Sequence, residues 1–389
     1  MSEEALFLTP DYMPQFRCKM GACRHACCEG WPISVSMTDY FRMLGVDCSP
    51  ELRRRMDVAM RLHPRPCPEA YAQILPRWDG NCPLRMEDGR CLLHAELGED
   101  MLPAVCRLYP RGVRRGKKCM ECSCANSCEA VVELLCREEG IAFIRTPLSV
   151  TPPSMGKRTN SFETEGREED IRMWFISFLQ NRKETLPCRM MHLGQAMHAM
   201  EDALNRKEFD RVDRLLSGAE QIPVPMEAKP GHEELLFGLD VSEKMLDIMK
   251  RSSDSIREYG DWVLAYYGEG EEAFRRYEAA CMHLEDVIPQ WESWMENLMV
   301  NHMFFMQFPF QDRPMGLREE FIALCAVYAL MRCLCVGYFA DKDDPVAAMD
   351  AVSAVFRLVD HTDFDRYAAH LLHSLGCDQW EQLKDLVSL

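Results

Sequence analysis

The sequence predicts a mainly α protein: an irregular, cysteine-rich, metal-binding N-terminal region followed by an all-α helical domain. Three observations predict it. Fourteen of the 20 cysteines lie in the first 136 residues. That stretch is rich in Pro, Gly and Arg and has few long periodic segments, whereas beyond residue 170 apolar residues recur at helical spacing. No run of β-branched residues alternates with those helices, which argues against a parallel α/β sheet. At 389 residues the chain exceeds what one ordinary core requires. The expected division is a metal-binding domain over 1–145, a linker over 146–170 and a helical domain over 171–389.

In the first region the densest motif is Cys18-x4-Cys23-x3-Cys27-Cys28, four thiols in eleven residues. Cys82 (DGNCPL), Cys91 (EDGRCLLH), Cys106 (VCRLYPR) and Cys128 (NSCEAVVELL) follow at wider intervals. Soft thiolates at this density select zinc, copper(I) or an iron–sulfur cluster. Eight thiols suit two four-ligand sites, or one site with thiols left for another role. Neither the paired knuckles of zinc ribbons nor the ferredoxin run has this spacing. Apolar packing alone does not call for four thiols together.

Cys119, Cys122 and Cys124 crowd in before Cys128, either as supplementary ligands or as bystanders. Cys48, Cys67 and Cys136 read as structural, and Cys188, Cys281, Cys325, Cys333, Cys335 and Cys377 as buried thiols on helices. His25 and His94 sit beside thiols, but a surface or hydrogen-bonded imidazole explains each. The basic run Arg111, Arg114, Arg115, Lys117, Lys118 is either a solvated loop or charge balance for an anionic thiolate site. Tyr109 and Arg111, beside Cys106, are candidates for a pocket near the metal site; the alternative is a structural turn at Tyr-Pro.

The linker TPLSVTPPSMGKRTNSFETEGREED is polar and proline-bearing. After it, Ile171, Trp174, Phe175, Phe178 and Leu179 fall on one helical face, with Glu168, Glu169 and Asp170 as first-turn acids. Leu193, Met197, Met200 and Leu204 form a second stripe. Met349, Val352, Phe356 and Val359 form another, behind Pro345 in a first turn. Between Phe321 and Ala340 the only charge is Arg332. That stretch is long enough to cross a bilayer, but a mid-span charge without basic flanks favours a helix buried on all sides in a helical domain.

The net charge is −17. Residues 1–137 hold 19 Lys and Arg against 18 Asp and Glu, so the acidity belongs to the second half. This balance argues against nucleic-acid binding. The acidic start, MSEEALFLTPDY, lacks the apolar core of a signal peptide. With so many thiols, a reducing cytoplasmic location is expected. The glycines in VLAYYGEGEE (263–272) are followed by acids, unlike a nucleotide-binding loop.

CKMGACRHACCEGWPISV, DGNCPLRMEDGRCLLHAELGEDMLPAVCRLYPRG and IRMWFISFLQNRKETLPCRMMHLGQAM resemble the flagellin lysine-N-methylase family. WMENLMVNHMFFMQFPF and VYALMRCLCVGYFA resemble it too, so the likeness covers nearly the whole chain. The N-terminal half also resembles the zinc- or iron-chelating domains named for CxxCxxCC cysteines. The resemblance implies methyl transfer from S-adenosylmethionine to the ε-amine of lysine on flagellin or a similar protein. It also implies a [4Fe-4S] cluster, with zinc as the alternative. Cys18, Cys23, Cys27, Cys28, Cys82, Cys91, Cys106 and Cys128 occupy the family's cysteine positions. Glu129 stands where the family usually has proline, and Cys119, Cys122 and Cys124 are additional. The competing function is a non-catalytic iron–sulfur or zinc protein whose helical domain binds a partner.

Overall fold

The computed structural model describes residues 5–116, 118–148, 162–225, 231–252, 254–310 and 315–389. The chain opens with strands β1 (Ala5–Pro10) and β2 (Ile33–Val35), then helices α1 (Met37–Gly45) and α2 (Pro50–Ala59). Strands β3 (Met60–Leu62) and β4 (Ala72–Ile74) and short helices α3 (Leu92–Leu97) and α4 (Ala104–Leu108) follow. Strands β5 (Arg111–Arg115) and β6 (Met120–Cys124), helix α5 (Glu129–Leu135) and strand β7 (Phe143–Leu148) complete the first part. Beyond it the described residues contain helices only: α6 (Glu168–Leu179), α7 (Leu186–Asn205), α8 (Phe209–Leu216), α9 (His232–Ser252), α10 (Asp254–Tyr267) and α11 (Gly270–Val287). They continue with α12 (Trp291–Met306), α13 (Leu317–Phe339), α14 (Pro345–Val359), α15 (Phe364–Ser374) and α16 (Trp380–Val387). The fold is mainly α, and the helical periodicities read from the sequence fall on α6, α7 and α14.

Two compact units emerge, and they do not follow chain order as the expected 1–145 and 171–389 division does. One holds residues 16–112 and 128–130; the other holds the N-terminal segment to Gln15, residues 113–127 and everything from Val131 onward. The reason is strand pairing. β1 runs parallel to β6, with Phe7 opposite Met120, and antiparallel to β7 from Ala5–Leu148 to Pro10–Phe143. The sheet order β5-β6-β1-β7 thus gathers segments distant in sequence. Of the expected linker, 149–161 lies outside the described residues, 146–148 ends β7 and 168–170 begins α6.

The smaller unit is built on a three-stranded antiparallel sheet, order β2-β4-β3, with Ile33 opposite Ile74 and Met60 opposite Ile74 on its other side. Helix α1 starts where Ser36 Oγ accepts the Asp39 amide at 3.1 Å, and α2 where Ser49 Oγ accepts the Leu52 amide at 3.1 Å with Pro50 in its first turn. These caps aim Met43, Leu52 and Met56 at Ile33, Val35 and Ile74 in one core.

In the larger unit α13 is the central helix. It packs against α7, α9, α10, α11, α14, α15 and α16. By length and composition it could cross a membrane, but 94% of its most apolar window is buried inside the protein. That matches the expected helix covered on all sides, since its partners supply the apolar surface around it.

Buried polar side chains on α12 tie the unit together. Glu296 is fully buried and accepts Arg189 Nη1 at 2.5 Å and Arg182 Nε at 2.8 Å. One turn on, Asn301 donates to the Cys124 carbonyl at 2.8 Å and accepts Tyr12 Oη at 2.7 Å. Between them Asn297 donates to the Leu135 and Glu139 carbonyls. Removing one member of such a buried ionic set leaves charge uncompensated. Glu296→Ala is expected to lower unfolding free energy by about 3–5 kcal/mol. Urea denaturation followed by far-ultraviolet circular dichroism will measure it, and a loss under about 1 kcal/mol would refute the role of Glu296.

Candidate functional site

All eight cysteines picked out by spacing belong to the smaller unit, because Cys128 returns to it in the short segment 128–130. Four of them meet its core: Cys82 is buried within it, and Cys28, Cys91 and Cys106 pack against it. Cys18 and Cys27 are exposed and Cys23 and Cys128 half-buried.

Glycines bring the two cysteine-bearing loops together. Gly21, in the first loop, has φ +136°, and a Cβ there would lie 2.8 Å from the Arg90 nitrogen. Gly89, in the second, has φ +82°, and a Cβ there would collide with the Gly21 carbonyl oxygen. The backbones touch with no room for a side chain. The Cys82 amide donates to the Cys28 carbonyl at 3.1 Å, and Glu29 bridges Asn81.

The thiols then converge on Cys28. Cys27 and Cys82 flank it as thiol donors and, with Arg85, hold the Cys28 thiol well below the ordinary range. The same arrangement raises Cys27 and Cys82, whose protons are the ones shared. Burial, with the neighbouring Cys91 and Cys28, pushes Cys106 up to about 12. Burial also raises Cys91, with Cys28 adding to it. Cys23 is raised by burial, then by Glu129 and Cys18. Cys27, Cys82, Cys91 and Cys106 thus lie near one sulfur that favours the thiolate, the ligand chemistry a thiophilic metal requires. Among the described residues, no three His, Cys, Asp or Glu side chains are already disposed as a metal cage.

Glu129 organises the first loop. Its buried carboxylate accepts Lys19 Nζ at 3.0 Å, the Arg24 amide at 3.0 Å and the His25 amide at 3.4 Å. Glu129 is therefore an anchor for the 18–28 segment. Arg85, which sequence reasoning passed over, is the cation that favours the Cys28 thiolate; its position three residues after Cys82 was the available signal.

The remaining candidates fall elsewhere. Cys119, Cys122 and Cys124 belong to the larger unit, where Cys122 and Cys124 are fully buried in β6. Within the basic run, Lys118 Nζ pairs with Asp170 at 2.5 Å and Arg114 lies over the Phe305 ring; Lys117 lies outside the described residues. Tyr109 caps the C-terminus of α4, with its amide on the Val105 carbonyl, and Arg111 lies 5.1 Å from the Phe16 ring centre. Cys67 is exposed, whereas Cys48 packs against the small core.

The larger unit contains a second candidate, a cavity of about 1200 Å³ between α7, α11, α13 and α16. Trp291, Trp380, Tyr277, Gln195 and Arg332 line it. Sequence reasoning used Arg332 only to weigh a membrane span. The residues 263–272 form no phosphate loop: α10 ends at Tyr267, Gly268 adopts φ +82°, and α11 begins at Gly270.

Residues 172–389 match the family described as FliB lysine N-methylase C-terminal domain. The chain is 28% identical over 130 residues to a lysine-N-methylase of Salmonella typhimurium (strain LT2), covering 33% of this chain and 32% of that protein. A lysine-N-methylase of Salmonella choleraesuis matches to the same extent. The flagellar biosynthetic protein FliU of Salmonella muenchen is 27% identical over 130 residues, 33% of this chain and 76% of its own length. The match spans about a third of the two lysine-N-methylases. No solved structure matches.

Because Gly21 and Gly89 set the approach of the loops, Gly89→Ala is expected to destabilise the smaller unit by about 1–3 kcal/mol. It should also speed alkylation of Cys82 and Cys91, read by peptide mass spectrometry. Unchanged alkylation rates would show that the close approach does not hold the thiols.

Proposed function

The chain belongs to the FliB lysine N-methylase family, and on that premise we propose that it is a protein-lysine N-methyltransferase that uses S-adenosylmethionine. Flagellin, or another protein presenting lysines, is the substrate, and the cytoplasm is where it acts. The observation that carries this reading is the family match over residues 172–389, more than half of the chain. In the transfer, the lone pair of a neutral lysine amine attacks the sulfonium methyl carbon. The C–S bond breaks with its electron pair remaining on sulfur, S-adenosylhomocysteine leaves, and the new ammonium loses a proton to solvent or a nearby carboxylate. The protein must therefore present the amine deprotonated against an ordinary pKa of about 10.4, and in line with the S–CH3 bond.

The reading includes a cysteine-held [4Fe-4S] cluster. The ligands would come from Cys18, Cys23, Cys27, Cys28, Cys82, Cys91, Cys106 and Cys128, and the thiol set around Cys28 supports this choice. When bound, such a cluster supplies electron-transfer and Lewis-acid chemistry. The role of this chain's residues is to keep Cys28 ready as a thiolate, to fix the first loop through Glu129 and to shield the sulfurs against the small core.

Anaerobically purified protein is expected to contain iron and acid-labile sulfide in near-equal amounts, with broad charge-transfer absorption. Cys28→Ser should lower retained iron by about tenfold or more, taking the loss for a metal-site partner as a floor. Cys325→Ala, buried in α13, should leave iron unchanged. Zinc without sulfide after attempted reconstitution would overturn the cluster. Failure to move labelled methyl from S-adenosylmethionine to lysine on flagellin or other candidate substrates would overturn the transferase and favour a non-catalytic metal protein.

A further inference from the structure

The cavity in the larger unit holds a buried cation with an unused donor. Arg332 sits in α13 with 4% of its surface exposed. Its Nε donates to the Leu389 main-chain oxygen at 3.1 Å and its Nη2 to Cys281 Sγ at 3.7 Å. Nη1, also buried, has no hydrogen-bond partner among the described residues. Among the described residues no Asp or Glu side chain forms an ion pair with it. Burying a charged donor unmet is costly, so the position has a place for one further acceptor. The guanidinium is held in place by the Trp291 ring, 3.7 Å away.

The rest of the wall asks for different chemistry. Gln195 Oε1 is a buried acceptor without a donor among the described residues. On α11, Glu278 and Glu285 lie on the face that carries Tyr277 and Cys281 to the cavity, and both are exposed at its edge. They favour a cation there. Trp291 and Trp380 offer flat aromatic surfaces. The occupant should thus carry an anionic acceptor for Arg332, positive charge for the acids and a planar group for the indoles. A lysine side chain alone meets the second demand and not the others.

We infer that this cavity binds the methyl donor, with the amino-acid carboxylate of S-adenosylmethionine on Arg332 Nη1 and its adenine among the tryptophans. The assignment rests on the methyltransferase reading above. The volume exceeds the roughly 300–1,000 Å³ of ordinary small-molecule sites, which leaves space for a substrate lysine beside the donor.

Binding of S-adenosylmethionine and of S-adenosylhomocysteine to the full-length, anaerobically purified protein, measured by equilibrium dialysis and calorimetry, tests the assignment. Arg332→Met should weaken both by tenfold or more. Met282 lines the cavity and is 65% exposed, so Met282→Trp fills the space without disturbing the core, and should weaken binding to a similar degree. If Arg332→Met fails to fold, Met282→Trp decides alone. In Met282→Trp the thermal midpoint and metal content should stay those of the wild type. Wild-type binding that survives both changes within twofold overturns this site while leaving the methyltransferase reading intact. A wild type that binds neither compound and methylates no lysine overturns both.

Discussion

The carboxylate of Glu296 governs the larger unit. It is fully buried on α12 and lies between two arginines from the segment running from α6 into α7. Neither charge is tolerable alone at that depth, so the helices have one register in which both are met. Glu292, one turn earlier, takes the second arm of Arg189. The asparagines that follow on α12 donate to backbone carbonyls of the 135–139 segment and the end of β6. An apolar α12 would bury as well but would not fix which backbone groups it meets. The polar row supplies that specificity, and α13 supplies the apolar mass around it.

The smaller unit solves a different problem. Its core is modest, the unit carries all eight thiols, and four of them, Cys28, Cys82, Cys91 and Cys106, lie in or against that core. Two glycines allow backbone contact between loops that a side chain would separate, and one buried glutamate collects the amides of the first loop. The result is a thiol set in which a single sulfur takes hydrogen bonds from its neighbours. The thiol protons are held in place first by hydrogen bonding to Cys28 and by burial, for Cys27 and Cys82, and by burial for Cys106, with repulsion from neighbouring thiolates adding to each. A bound cation relieves that repulsion, which is the physical basis for reading the set as a metal site.

Arg332 joins fold and function in the larger unit. A charge in the middle of the most buried helix has to be compensated, and here the compensation is partial: an aromatic face, a sulfur and one main-chain oxygen. Structural arginines in the same unit are more fully met, as the two bonds from Arg172 to the buried Glu121 illustrate. Among the described residues, that contrast is the ground on which the ligand inference at Arg332 rests.

The sequence by itself determined the helical stripes, the buried nature of α13 and the clustering of cysteines in the first region. Periodicity and local spacing carry those, since a helix face and a thiol motif are written within a few turns of chain. Only the tertiary structure decided that residues 5–15 and 113–127 join the helical unit, because pairing β1 with β6 is a contact between segments a hundred residues apart. It also placed Cys122 and Cys124 in that sheet and not among the eight, gave Glu129 its anchoring role and opened the cavity over Arg332. Each of these depends on which groups meet in space after the loops have closed. Composition fixes which charges and thiols the chain must accommodate, and folding alone fixes which partners they find.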